Sequence, residues 1–277
     1  MDYVLIKNEF VRKDQAYIDF YDRGYYFGDG IYEVIRVYNG IPFLWEEHFE
    51  RLQRSARELD LEFSQPVDDM KKNILSLIAK NNLQNGIVYF QITRGEQERN
   101  HLYPRTLSSV LTAFTKEDDS PVSLQENGIS LWALDDIRWL RCDIKTINLL
   151  GNVMAKRKAE DEGCHEALQH RGNIVTEGSS TNVYLVKDGT IYTHPANHYI
   201  LNGITRLFIK QLASEEGISF QEEAFTLEDI PAAEEMFISS TSHELVPVTK
   251  IKGSVTKKLA IGPITRRLQK AFASAEN

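Results

Sequence analysis

The strongest constraint in this chain is a pair of strand-like runs, residues 31–38 and 41–44, separated by Asn39-Gly40. β-Branched and aromatic residues fill both runs, and Asn-Gly readily takes the positive φ that a two-residue hairpin turn demands. The start of the chain is therefore committed to antiparallel pairing. A smaller hairpin is expected before it, from strands at 3–6 and 10–11 joined through Lys7-Asn8-Glu9, and residues 17–20 read as another short strand.

Helical periodicity takes over after Phe43. Phe49, Leu52, Ala56 and Leu59 recur at helical spacing while Arg51, Arg54, Arg57 and Glu58 occupy other faces, which predicts a helix over 46–59. A second helix follows Pro66, with Met70, Ile74, Leu77 and Ile78 as its apolar stripe. Strands over 86–93 and 109–115 then bracket a long polar loop, 94–107; long ordered loops tend to carry function. The charged stretch 116–121, ending in proline, reads as a linker and sets two domains, 1–118 and 119–277. In the second, strands are expected at 129–134, 166–170, 174–176, 182–187 and 190–194, with others near Phe220, Phe237 and Val248. Helices are expected at 152–162, 205–216, 226–230 and 263–273. Strands and helices mix without strict βαβ alternation, which argues for two α+β domains.

The 277 residues, 42% hydrophobic and 26% charged, suit an ordinary globular protein of about two domains. No apolar run has the length to cross a bilayer, and the first residues lack the order of a signal peptide. A cytoplasmic location without a membrane partner is the expectation. Forty acidic against 32 basic residues give a net charge of −8, with no basic block, so nucleic acid is not an expected partner. Cys142 and Cys164 are too few for a disulfide framework and read as buried thiols. Pro195 breaks any helix that would align His194 with His198, so no metal is expected. Gly28-x-Gly30 precedes a strand, unlike a dinucleotide loop, and Ser254-x-x-Lys257 has no companion hydrolase motif.

Four stretches carry chemistry. Lys145 lies among Ile144, Ile147, Leu149 and Leu150, so its segment reads as buried. Taken alone, that fits either a lysine snorkelling from the edge of a core strand or a desolvated amine suited to a Schiff base. Glu177 is a lone acid among small residues in Thr176-Glu177-Gly178-Ser179-Ser180-Thr181-Asn182, either an exposed turn acid or a partner for a cationic ring nitrogen. Gly203-Ile204-Thr205-Arg206 opens a helix, where free N–H groups and the helix dipole suit a phosphate, unless Thr205 simply caps the helix. Ser239-Ser240-Thr241-Ser242 gathers hydroxyls at the end of an apolar strand.

In this order, and joined to Asp22-Arg23-Gly24-Tyr25-Tyr26-Phe27-Gly28-Asp29-Gly30-Ile31-Tyr32-Glu33 and to Asp136-Ile137-Arg138-Trp139-Leu140-Arg141-Cys142-Asp143-Ile144-Lys145, these motifs resemble the fold-type IV pyridoxal-phosphate transaminases. The resemblance runs over nearly the whole chain and is nearest to the bacterial D-amino-acid aminotransferases. It implies two α+β domains with pyridoxal 5'-phosphate in the cleft between them. Lys145 would carry the cofactor and shuttle the substrate's proton, and Glu177 would face the pyridine nitrogen. Arg51, Ile204, Thr205, Ser240 and Thr241 would hold the phosphate; taken alone, Arg51 is also an i,i+4 partner for Glu47. The resemblance further implies a homodimer in which Arg99 and His101 reach the partner's site and, with Tyr32, bind the substrate carboxylate. D-amino acids and 2-oxo acids are the substrates so implied. An aminodeoxychorismate lyase and a branched-chain L-amino-acid transaminase share the fold, and Arg99-Asn100-His101 disfavours both. A non-catalytic dimeric binding protein is the remaining alternative.

Overall fold

The computed structural model describes residues 2–275 and divides into two compact units. The first runs to Asp119 and includes Ile144–Asn148; the second comprises Ser120–Asp143 and the residues from Leu149 onward. The division thus falls one residue after the expected boundary, but the Lys145 segment belongs to the first unit instead of the second domain. Backbone pairing accounts for this: Ile31 and Thr146 form an antiparallel bridge, Tyr32 N–H donates to Lys145 O, and Ile147 N–H donates to Gly30 O.

In the first unit, strands β1 (Tyr3–Ile6), β2 (Glu9–Arg12), β3 (Gly30–Tyr38), β4 (Ile41–Pro42), β5 (Gly86–Thr93) and β6 (Val110–Glu117) form an antiparallel sheet in the order β2-β1-β6-β5-β3-β4. The Asn39-Gly40 turn joins β3 to β4 with both residues at positive φ, 50° and 79°. β4 is shorter than the expected run because Leu44 adopts a left-handed conformation and turns the chain into a helix. Residues 17–20 form no strand; Tyr17 and Phe20 are exposed, and the Asp19 carboxylate accepts Tyr21 N–H and bends the chain. The glycine-rich stretch beyond them holds a short helix, α1 (Arg23–Phe27), capped by Asp22 through Gly24 N–H and closed by Gly28.

Helices α2 (Trp45–Glu58) and α3 (Val67–Lys80) lay Phe49, Leu52, Met70, Ile74 and Leu77 against the sheet. On β3, residues 31, 33, 35 and 37 form the row buried with them, facing Ile92, Phe90 and Val88 of β5. Each large apolar side chain so buried contributes about 1.5–3 kcal/mol.

The second unit holds α4 (Val122–Asn127), β7 (Ile129–Asp135), α5 (Leu150–Asp161), β8 (Glu166–Arg171), β9 (Ile174–Val175), β10 (Asn182–Lys187), β11 (Thr190–Tyr192), α6 (Ile204–Glu215), β12 (Ser219–Gln221), β13 (Glu235–Ser240), β14 (Glu244–Gly253), β15 (Lys257–Lys258) and α7 (Pro263–Ala275). Its strands join in the order β12-β11-β10-β13-β14-β7-β8-β9, with β15 on β14. The helix expected at 226–230 is only a 3-10 turn at Ile230–Ala232, because Pro231 stops it and Asp229 ties back to Thr226 N–H and hydroxyl. The result is a two-unit α+β fold. Among the described residues, no helix is long and apolar enough to cross a membrane.

Buried Glu235 on β13 caps α7, accepting Ile264 N–H at 3.0 Å, Thr265 N–H at 2.8 Å and the Thr265 hydroxyl at 2.6 Å. Removing its charge while keeping its size, Glu235→Gln, is expected to lower unfolding free energy by about 1–3 kcal/mol. Urea titration followed by circular dichroism measures this, and an unchanged midpoint and slope would show that the cap adds nothing.

Candidate active site

The first unit sets an acid into an apolar row. Glu33 lies between Ile31 and Ile35 on the buried face of β3 and has no exposed surface. Such a carboxylate needs a cation and hydrogen bonds. Arg51 of α2 supplies both, Nε donating to Glu33 Oε1 at 2.8 Å and Nη2 to Oε2 at 2.7 Å. His48, one helical turn earlier, places Nδ1 2.7 Å from Oε2. Burial pushes the Glu33 carboxyl up, but the charge and hydrogen bonds of Arg51, helped by His48, outweigh it and hold the pKa at about 2. For His48 burial dominates and lowers the pKa, with Glu33 pulling the other way. Arg51 is thus a buried guanidinium anchored to β3 and not a surface side chain.

Lys145 is set at the start of the same strand. Its backbone N–H donates to Ser55 Oγ of α2 at 3.3 Å, its carbonyl accepts Tyr32 N–H, and its Nζ lies 4.1 Å from the centre of the Tyr32 ring. Ile144 and Thr146 are buried, whereas Lys145 between them is only half-buried, since neighbours in an extended segment alternate. The enclosure expected of the whole segment therefore holds for Ile144 but not for the amine, nor for half-buried Ile147 and Leu149 or exposed Leu150. Arg99 and His101 are exposed and gather on Phe27: the Arg99 guanidinium lies 5.2 Å from that ring's centre, and the His101 ring lies 5.4 Å from it.

The second unit builds around Glu177, which is buried and not an exposed turn acid. Arg138 Nη1 donates to its Oε1 at 2.5 Å, while Asn182 Nδ2 and Leu201 N–H each donate to Oε2 at 3.1 Å. Burial raises the Glu177 pKa, against the pull of Arg138 and of the Leu201 N–H. Arg138 is shared with buried Asp136, donating from Nε at 2.9 Å and Nη2 at 2.8 Å, and Asp136 also accepts from Arg171. Asp136 and Glu177 thus share the buried Arg138 guanidinium, and Asp136 has a second cation in half-buried Arg171. Glu166, also buried, accepts Ser179 N–H and both serine hydroxyls of the following turn, which fixes the loop that carries Glu177.

Thr205 does not cap its helix. The cap position of α6 is Gly203, without a side-chain hydrogen bond, and Thr205 sits buried inside the first turn with Ile204. Any side chain at 203 would collide with Asn182 Oδ1, which explains the glycine. β13 packs beside α6 and ends at Ser240, whose hydroxyl lies 3.0 Å from His243 Nδ1; Thr241 follows, half-buried. An uncapped helix start with adjoining hydroxyls suits an anion.

Of the expected residues, the first unit carries Tyr32, Arg51, Lys145, Arg99 and His101, and the second carries Glu177, Ile204, Thr205, Ser240 and Thr241. Reading the sequence assigned no role to Glu33, His48, Asp136, Arg138 or Asn182. For Glu33 a signal existed, an acid interrupting the apolar alternation of residues 31, 35 and 37. Nothing in local spacing marks Arg138 as the cation for an acid 39 positions away.

Comparison with known proteins supplies the context. The amino-transferase class IV family matches residues 30–251. D-alanine aminotransferase of Staphylococcus epidermidis is 50% identical over 273 residues, covering 98% of this chain and 97% of that one. The enzyme of the same name from Bacillus licheniformis is 43% identical over 272 residues, 98% of this chain and 96% of the other. Among solved structures, branched-chain amino acid aminotransferase from Escherichia coli is similar with a TM-score of 0.88 and 27% identity, covering 99% and 93% of the two chains. The 4-amino-4-deoxychorismate lyase from Pseudomonas aeruginosa has a TM-score of 0.85, 24% identity and 98% coverage of both, a likeness of fold alone.

The Glu33 pKa of about 2 lies below the value of 4.5 for a free glutamate, so its ionisation stabilises the fold above pH 4.5. That contribution disappears as pH falls towards 2. Glu33→Gln is expected to cost roughly 3 kcal/mol at neutral pH, the difference from the native chain shrinking through that window. Urea titrations of both proteins at several pH values measure it; a difference constant from pH 7 to pH 3 contradicts the assigned ion pair.

Proposed function

The chain belongs to the amino-transferase class IV family, and from that premise we propose that it is a D-amino-acid transaminase. It exchanges an amino group between D-amino acids, such as D-alanine and D-glutamate, and 2-oxo acids, such as pyruvate and 2-oxoglutarate. The observation that carries this reading is the 43–50% identity, over nearly the full length of both partners, to proteins named D-alanine aminotransferase. Likeness to the branched-chain and lyase structures cited above is 27% and 24%.

Pyridoxal phosphate is the cofactor, and when bound it supplies an electron-withdrawing ring that stabilises negative charge at the substrate Cα. The donor sets described above fit each of its parts. Lys145 Nζ would be the nucleophile that holds the cofactor's aldehyde carbon and, when free, the base that moves the substrate's Cα proton. Glu177 would face the ring nitrogen and keep its proton in place, and its burial and its fixed orientation by Asn182 and the Leu201 N–H support that role. Arg51, the Ile204 N–H and the hydroxyls of Thr205, Ser240 and Thr241 would hold the phosphate. Glu33 and His48 orient Arg51 and so prevent the guanidinium from collapsing elsewhere.

Tyr32, Arg99 and His101 bind the substrate carboxylate, and the clamp selects the face of Cα presented to Lys145. The proposal includes a homodimer in which Arg99 and His101 serve the partner's site, and a cytoplasmic location. Exposure of both side chains in the single chain is compatible with that assembly.

The visible spectrum of the purified holoenzyme tests the reading. D-Alanine without an oxo acid is expected to bleach the long-wavelength band and L-alanine to leave it; bleaching by L-alanine alone indicates the branched-chain type, and no change with either indicates a lyase. Lys145→Ala is expected to remove the borohydride-reducible linkage, and a linkage that persists places it on another residue. Arg99→Ala is expected to raise the KM for D-alanine about 10- to 100-fold, as charge-assisted hydrogen bonds to a carboxylate predict, while the cofactor band stays intact.

A further inference from the structure

We propose that Arg23 and Phe27 are positioning residues that hold Arg99 and His101 in a preset arrangement, so that the carboxylate-binding pair is assembled before substrate arrives. This rests on the reading that Arg99 and His101 recognise the carboxylate. Both side chains are exposed and lie in a polar loop without regular structure, and a free loop of this kind would have to be ordered at the expense of binding energy. The structure shows how the ordering is done in advance.

Arg23 and Phe27 stand four residues apart on α1 and so share a face. The Arg23 side chain is almost wholly buried. Its Nε donates to Asp29 Oδ2 at 2.9 Å; its Nη1 donates to Gln97 Oε1 at 3.0 Å and to Asn100 O at 2.6 Å; and Nη2 lies 3.5 Å from His101 O. One guanidinium thus clasps the backbone directly after Arg99. The same guanidinium stacks over Phe27 at 4.7 Å, and Phe27 is the ring on which Arg99 and His101 also rest. A ring face attracts cations at such distances, and Asp29 offsets the repulsion between neighbouring guanidiniums.

The base of the loop is tied by a second buried arginine. Arg94 Nε donates to both Asp29 oxygens, its Nη1 and Nη2 reach the carbonyls of Asp60 and Leu59 beyond the end of α2, and Tyr103 covers its guanidinium at 3.7 Å. Asp29 therefore stays paired when Arg23 is replaced, so loss of Arg23 frees the tip of the loop without leaving a buried charge alone. Lysine cannot take over the task, because a single ammonium lacks the planar fork that spans Asp29, Gln97 and Asn100.

The test uses the pyridoxal-phosphate-loaded enzyme with D-alanine and compares Arg23→Gln, Arg23→Lys, Phe27→Leu and Arg99→Ala. Each of the first three is expected to raise KM about tenfold with kcat changed less than threefold and the cofactor band intact. Arg23→Gln is expected to add less to the KM of Arg99→Ala than it adds to that of the native enzyme, because the part of the clasp that acts through Arg99 is already lost. A general structural role would instead add its full effect in the double variant, or lower kcat and cofactor binding together, and either result overturns the proposal. If Arg99→Ala raises KM while Arg23→Gln and Phe27→Leu do not, the positioning role fails and the carboxylate reading stands. If Arg99→Ala leaves KM unchanged, both fail. Should Arg23→Gln not fold, Phe27→Leu alone and in the Arg99→Ala background provides the same comparison.

Discussion

A carboxylate removed from water survives ionised only where a cation meets it, and both units are arranged around that requirement. Glu33 lies fully buried in a row of isoleucines and valines, and Arg51 reaches it with two hydrogen bonds from the neighbouring helix. The pairing fixes the angle of Arg51 and the packing of α2 on β3 in one stroke. The same helix supplies Ser55, which takes the backbone N–H of Lys145. The helix that the Glu33–Arg51 pair holds on β3 thus also anchors the backbone of Lys145.

The pattern recurs with a different balance. Asp29 is matched by two arginines, Arg23 and Arg94, and the surplus positive charge is spent on loop carbonyls and on the rings of Phe27 and Tyr103. Around Glu177 the charges balance, with Asp136 and Glu177 sharing Arg138 while Arg171 also pairs with Asp136. Glu177 takes its cation from Arg138. Neutral hydrogen bonds from Asn182 and Leu201 fix its orientation without cancelling its charge.

Much of the secondary structure is legible in the chain because it depends on neighbours in sequence. The Asn39-Gly40 hairpin, the apolar stripes of α2 and α3 and the opening of α6 are local matters of φ, spacing and capping. The failures are also local in appearance and non-local in cause. Residues 17–20 have strand-forming side chains but no strand beside them, and the lysine segment, expected in the second domain, pairs with β3 of the first unit.

For the site, the sequence by itself determined which chemical groups are available: an amine among apolar neighbours, a lone acid before a strand, a hydroxyl-bearing helix start, and an arginine and histidine one residue apart. Their order also carries the resemblance to one enzyme family, since order survives without coordinates. Only the tertiary structure decided which of them are paired. Arg51 with Glu33, Arg138 with Glu177, and Arg23 with the Arg99 loop are separated by 18, 39 and 74 or more positions. Electrostatic pairing depends on distance in space and on exclusion of water, and neither quantity is written in the spacing of residues along a chain.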